Sequence, residues 1–132
     1  MALVVIAEDD DDIRNIMVRV IRRGGHDVVE AADGGAALVA VRKHRPDALV
    51  TDIDMPVMTG AQLCAAVRAD PDLRDLPVIF VSGTLFPGDT RPADAGATAT
   101  LTKPFLPRQL LACLEKALAA GHQQGQPPAA CP

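Results

Sequence analysis

Four apolar runs in this chain of 132 residues are each followed by, or end in, residues able to do chemistry. Leu3-Val4-Val5-Ile6-Ala7 is followed by Glu8 and Asp9, and Ala48-Leu49-Val50-Thr51 by Asp52, with Asp54 two residues on. Val78-Ile79-Phe80-Val81 ends in Ser82, and the stretch from Ala99 to Thr102 is followed by Lys103. In an open parallel sheet, residues just past the strand ends share one edge, and ligands bind there. Carboxylates gathered at such an edge repel one another, which raises their pKa. A hard divalent cation relieves the repulsion, and oxygen donors around an open, partly hydrated position suit Mg²⁺. A carboxylate beside that cation is a nucleophile toward phosphorus. The cation, the Ser82 hydroxyl and the Lys103 ammonium would share the charge on the transferred oxygens. Each residue alone has a plainer reading: Glu8 and Asp9 as part of an acidic helix-capping loop, Asp52 as a loop acid, Ser82 as a turn residue before Gly83, Lys103 as a surface lysine. Four strand ends carrying one coherent set outweigh those readings taken singly.

The elements that must position these groups follow from apolar spacing. Ile13, Ile16, Met17, Val20 and Ile21 recur at helical intervals, and Gly24-Gly25 ends that helix. Val28-Val29 with Ala31 forms a short second strand. Asp33 caps a helix carrying Ala37, Leu38 and Val41, which stops before Pro46. Thr59-Gly60-Ala61-Gln62 is a capping box opening a helix with Leu63, Cys64 and Val67 inward and Asp70-Pro71 at its end. Leu110, Leu111, Leu114 and Leu118 line the last helix, with Gly121 as its stop. Strands apolar almost throughout are buried on both faces, so the pattern predicts an α/β parallel sheet with helices on each side. Five such units make a flavodoxin-like, doubly wound, five-stranded parallel sheet. From Thr84 to Ala97 the pattern fails: Pro87, Gly88, Pro92 and Gly96 interrupt it, so the fourth helix is expected to be short or irregular.

Residues 1–120 are read as one domain, and 121–132, rich in Gly, Gln and Pro, as a disordered tail or linker stub. A hydrophobic share of 48% is enough for a real core. The net charge of −4 argues against direct nucleic-acid contact, which needs a basic face. No apolar run reaches the roughly 20 residues that span a bilayer. Met1 leads straight into an apolar strand and then acids rather than a signal peptide, so no membrane insertion and a cytoplasmic location are expected. Cys64, Cys113 and Cys131 form no C-x-x-C pair and read as free thiols, Cys131 solvent-accessible in the tail. His26, His44 and His122 read as solvated, and Asp11 and Asp12 as N-cap residues.

Taken together, Glu8-Asp9, Thr51-Asp52-Ile53-Asp54-Met55-Pro56 with Gly60, Val78-Ile79-Phe80-Val81-Ser82-Gly83 and Leu101-Thr102-Lys103-Pro104-Phe105 resemble receiver domains of two-component response regulators. The similarity runs from residue 3 to about 120. It implies the strand order 2-1-3-4-5. It implies Asp52 as phosphoacceptor, Asp9 as direct Mg²⁺ ligand with Glu8 assisting, and the Asp54 backbone carbonyl completing the metal site. Ser82 would move to bond the phosphoryl group, Lys103 would pair with it, and the Lys103–Pro104 bond would be cis. The implied partners are a histidine kinase or phosphotransfer protein and an unknown downstream protein. The chain would be no enzyme beyond its own phosphorylation and dephosphorylation, and either a stand-alone regulator or a piece of a longer one. Two departures stand out. Thr100 occupies the place where the family usually carries Tyr or Phe, and the Ser82–Lys103 interval is about one residue short. With no aromatic ring to swing, output is expected to run through segment 84–97. Two rivals differ in class. A haloacid-dehalogenase-type phosphatase would use Asp52-Ile53-Asp54 as its D-x-D, but there that motif follows the first strand, and Glu8-Asp9 would be left without a role. A pseudo-receiver would bind partners without phosphate, against the full acidic set.

Overall fold

The computed structural model describes residues 1–131. The chain alternates strand and helix: β1 (Leu3–Ala7), α1 (Asp11–Arg23), β2 (Asp27–Ala31), α2 (Gly34–His44), β3 (Ala48–Thr51), α3 (Gly60–Ala69), β4 (Val78–Ser82), α4 (Arg91–Ala95), β5 (Ala99–Thr102), α5 (Pro107–Ala120) and β6 (Ala129–Ala130). The strands pair in the order β2-β1-β3-β4-β5-β6, every pair parallel. The five-stranded doubly wound sheet is therefore as expected, with a sixth short strand added.

Alternate side chains of the central strands go to opposite faces, and each face has its own helices. Val5, Leu49, Val78 and Phe80 pack with Leu38 and Val41 of α2 and Leu63 and Val67 of α3. Val4, Ile6, Val50, Ile79 and Val81 pack with Met17 and Ile21 of α1 and Leu110 and Leu114 of α5. Each such side chain contributes about 1.5–3 kcal/mol when fully buried. This two-sided burial holds the strand ends in register, and with them Glu8, Asp52, Ser82 and Lys103.

Local signals set most helix ends. The Thr59 capping box at α3 is complete, and Asp33 accepts from the Ala36 N–H at 2.7 Å. At α1 the cap is Asp10, which accepts from the Ile13 N–H, so Asp11 and Asp12 lie in the first turn rather than at the cap. There they still face the positive end of the helix dipole. Helix α4 has five residues, carries Pro92 near its start, lacks a side-chain cap and ends at Gly96 with φ of 81°. Its shortness was expected from the same prolines and glycines.

Three expectations fail at the C-terminus and on the histidines. The segment after Gly121 returns along the sheet, where Ala129–Ala130 form β6; Pro132 lies outside the described residues. That return brings Cys131 beside α5, where it is disulfide-bonded to Cys113, and Cys64 is the free cysteine. Burial pushes the Cys64 thiol up to about 11. The His26 side chain is only 8% exposed, and its Nδ1 accepts from the Ala2 N–H at 3.0 Å. His122 bonds Thr98 Oγ1 at 2.8 Å. The exposed His44 is solvated as expected.

One residue beside the functional edge is strained. The Met58 N–H donates to the Pro56 carbonyl at 2.8 Å, closing a three-residue turn whose centre, Val57, has φ of 70°. That turn is costly for a β-branched side chain. Val57 is also 84% exposed, so little packing offsets the strain. Val57→Gly is expected to raise stability by about 1 kcal/mol in chemical denaturation; an unchanged or lower midpoint would show that the turn relaxes in solution.

Candidate functional site

The carboxyl ends of β1, β3, β4 and β5 meet at one edge. Each of Glu8, Asp9 and Asp52 offers a carboxylate oxygen there, all within 4.8 Å of one another. Glu8 is 1% exposed, Asp52 7%, and Asp9 lies open to solvent. Lys103 reaches in from the end of β5, its Nζ 2.5 Å from Glu8 Oε1 and 3.3 Å from Asp52 Oδ2. Burial holds the Glu8 carboxyl above the usual carboxylate range, with the Lys103 ammonium pulling it back. Lys103 is itself held above the usual lysine range: burial opposes its charge, but Glu8 and Asp52 together outweigh it. The donor set is oxygen-only and short of positive charge, which fits a hard divalent cation.

The two oxygens of Asp52 have different surroundings. Oδ1 accepts from the Ile53 N–H at 2.7 Å and more weakly from the Asp54 N–H at 3.4 Å. Oδ2 faces Lys103, whose Nζ donates to it at 3.3 Å. The Asp52 backbone is anchored by its N–H to the Ala7 carbonyl at 3.0 Å, tying β3 to β1 where both acids emerge.

The hydroxyl of Ser82 is engaged elsewhere. It lies 3.0 Å from Thr84 Oγ1 and accepts from the Thr84 N–H at 3.1 Å. Thr84 Oγ1 lies 2.5 Å from Asp54 Oδ2 and donates to it, so the proton between the two hydroxyls comes from Ser82. Arg91 joins the same cluster. It donates to the Thr84 carbonyl at 3.0 Å, chelates Asp89 and pairs with Asp54 at 3.6 Å. Glu8, Asp9, Asp52 and Lys103 thus come together as the spacing predicts. Ser82 shares their edge but points into a chain running to α4, and the Asp54 side chain belongs to that chain. Sequence reasoning missed Thr84 and Arg91. A threonine two residues after Ser82 was a faint signal for the first, and nothing in the sequence pointed to Arg91, 37 residues from Asp54.

Gly60, the first residue of α3, packs against the back of this loop. Its N–H donates to the Ile53 carbonyl at 2.7 Å, and an added Cβ would run into the Asp52 carbonyl with Ile53 Cα 2.8 Å away. Backbone cannot give way cheaply, so Gly60→Ala is expected to cost about 2 kcal/mol of stability. It should also weaken divalent-cation binding by displacing Asp52. Thermal unfolding and cation titration read both; wild-type values in each would mean that the start of α3 is free to shift.

A parallel α/β sheet with five helices, its strand ends gathering an acidic pocket and a lysine, defines a receiver-type domain. The Lys103–Pro104 bond is cis, as the resemblance implies. The chain belongs to the response regulator receiver domain family, whose model matches residues 4–115. Among curated relatives, the transcriptional regulatory protein PrrA of Mycobacterium tuberculosis is 37% identical over 110 residues, covering 83% of this chain and 46% of PrrA. The DNA-binding response regulator MtrA of Mycolicibacterium smegmatis is 31% identical over 110 residues, covering 83% of this chain and 47% of MtrA. The chain thus spans about half the length of these relatives. Among solved structures, chemotaxis response regulator CheY4 of Vibrio cholerae superimposes with a TM-score of 0.83 at 34% identity, covering 88% of this chain and 98% of that one. The receiver domain of sensor histidine kinase PA1611 of Pseudomonas aeruginosa, which holds a magnesium ion in its active-site cleft, does so with a TM-score of 0.83 at 26% identity, covering 89% of this chain and 98% of that one. Receiver domains are signalling modules of two-component systems rather than enzymes in the usual sense. The expectation of no direct nucleic-acid contact, drawn from net charge, loses its support, because relatives such as MtrA are DNA-binding regulators. Net charge averages over the surface and is blind to what a longer relative carries. Among the described residues no helix is long and apolar enough to cross a membrane.

Proposed function

We propose that residues 1–120 form a phosphorylation switch that accepts a phosphoryl group on Asp52 Oδ2 from a histidine kinase or phosphotransfer protein. The observation that carries this is the asymmetric setting of Asp52: Oδ1 is tied to loop amides, while Oδ2 faces Lys103 in a cluster to which Glu8 and Asp9 also bring carboxylate oxygens. In the transfer, Oδ2 forms the new bond to phosphorus as the donor's phosphorus–nitrogen bond breaks, and the leaving imidazole takes up a proton. Mg²⁺, held by Glu8, Asp9, Asp52 and the Asp54 carbonyl, would supply positive charge against the transferred oxygens. The PA1611 receiver, with magnesium in the corresponding cleft, supports that choice. Lys103 can leave Glu8 and pair with the new phosphoryl oxygens. Intact mass after incubation with acetyl phosphate and Mg²⁺ tests the reading. A single added phosphoryl group is expected; turnover of a small phosphate ester without labelling would instead favour a phosphatase.

Output then runs through segment 84–97, because Ser82 feeds it directly. For Ser82 to reach a phosphoryl group on Asp52, its bonds to Thr84 must break, which removes one anchor from the cluster that Thr84 forms with Asp54 and Arg91. Helix α4, with five residues and no side-chain cap, has little of its own to resist the change. Adding beryllofluoride with Mg²⁺ is expected to shift the backbone resonances of residues 84–95; a response confined to residues 8–9, 52–54 and 103 would rule this route out.

A further inference from the structure

The segment after α5 is joined to the rest of the domain by a few hydrogen bonds and one covalent tie. Its β6 is two exposed residues long, held to β5 by the Ala129 N–H on the Thr98 carbonyl at 3.1 Å and the Cys131 N–H on the Thr100 carbonyl at 2.8 Å. Nearer the helix, His122 bonds Thr98, and the exposed Gln124 amide donates to the Arg74 carbonyl at 2.8 Å. So few bonds contribute little net of the chain entropy they must overcome. The Cys113–Cys131 disulfide adds what they lack. Cys113 sits on α5, 3% exposed and packed in the core, with its Cα 5.7 Å from that of Cys131. A tail bonded there is confined to the neighbourhood of β5 whatever its weak contacts do.

The place it covers matters. Ala130 closes one side of a cavity of about 300 Å³ whose other walls include Leu85, Phe86, Pro92 and Thr100. His122 and residues 124–127 wall a second cavity of about 430 Å³ with Arg68, Asp94 and Gly96. The tail therefore lies along the edge of β5, with parts of it beside α4. An uncovered strand edge offers unpaired N–H and C=O groups to other chains.

We propose that Cys113 and Cys131 form a redox clip: oxidised, it fastens the C-terminal segment as a sixth strand over the β5 edge; reduced, it releases that segment and opens the edge beside α4. This does not rest on the phosphoryl chemistry at Asp52. Closure is thiol–disulfide exchange with a small disulfide such as oxidised glutathione. The Cys131 thiolate, the more accessible of the two, attacks the glutathione disulfide and releases one glutathione thiolate; the Cys113 thiolate then attacks the mixed disulfide and releases the second. The two protein thiols lose two protons and two electrons, and one glutathione disulfide becomes two thiols. A dithiol reductant reverses the sequence. Cys64, buried and with its thiol pushed up to about 11, stays outside the exchange.

The full chain, equilibrated in glutathione buffers of varied ratio, gives the test by thiol counting and hydrogen exchange. In the oxidised buffer one alkylatable thiol is expected after denaturation, with the amides of Ala129 and Cys131 protected; in the reduced buffer, three. Reduction should speed exchange across residues 124–131 about tenfold or more while β1, β3 and β4 keep their protection. Cys131→Ser, which leaves the core cysteine in place, should show the released tail in either buffer. The proposal is overturned if the pair stays reduced in excess oxidised glutathione, or if tail protection is the same with and without the bond.

Discussion

Asp52→Asn is expected to take up no phosphoryl group from acetyl phosphate and Mg²⁺ while keeping its fold. The substitution preserves shape, so the amide oxygen of the new side chain can still accept from the Ile53 N–H that now holds Oδ1 at 2.7 Å. What it removes is the second oxygen, the one facing Lys103. A side-chain amide nitrogen cannot replace it, because its lone pair is delocalised. Losing the attacking atom of a covalent mechanism costs on the order of 10⁶ in rate, which puts labelling below detection in an intact mass spectrum. The fold should survive, because neutralising residue 52 removes one of three mutually repelling carboxylates. Stability is therefore expected to hold or rise slightly, and divalent-cation affinity to fall. Labelling of the Asp52→Asn variant would move the acceptor to another acid and sink the assignment; an unfolded variant would mean that Asp52 is needed for structure first.

The legible parts of this molecule were those encoded locally or repeated. Unbroken apolar strands announced a sheet covered on both faces, and the Thr59 box and Asp33 announced their helices, because caps are decided within four residues. Glu8, Asp9, Asp52 and Lys103 were legible because a parallel sheet brings three separate strand ends, those of β1, β3 and β5, to one edge. The failures were long-range. Arg91 meets Asp54 across 37 residues of sequence, through a segment whose prolines and glycines erase any period. Cys131 meets Cys113 because the tail turns back along β5, and a composition of Gly, Gln and Pro carries no sign of that return. His26 looked solvated because a turn position says nothing about the Ala2 N–H that docks on its ring.

The second large effect concerns the cation the protein supplies for itself. Lys103→Met keeps most of the side-chain volume and removes the ammonium 2.5 Å from Glu8 and 3.3 Å from Asp52. Glu8 is 1% exposed, so its carboxylate is left buried without a counter-charge. Breaking such a pair costs about 3 kcal/mol, or roughly 10 °C in Tm for a domain of this size. The loss should depend on pH in a definite direction. Burial already raises the Glu8 carboxyl above the usual carboxylate range, and Lys103 opposes that rise. A carboxyl raised on folding favours the folded state below its unfolded pKa, and this contribution is lost as pH rises through the folded value. Without Lys103 the folded value climbs further, so the variant should approach wild-type stability in mild acid and fall away toward neutral pH. Mg²⁺ gives the decisive comparison. It can neutralise the same oxygens, so it should raise the Tm of Lys103→Met by more than that of the wild type at neutral pH. Equal shifts in the two proteins, or a variant as stable as wild type without Mg²⁺, would mean that Lys103 and the metal do not serve one cluster of charge.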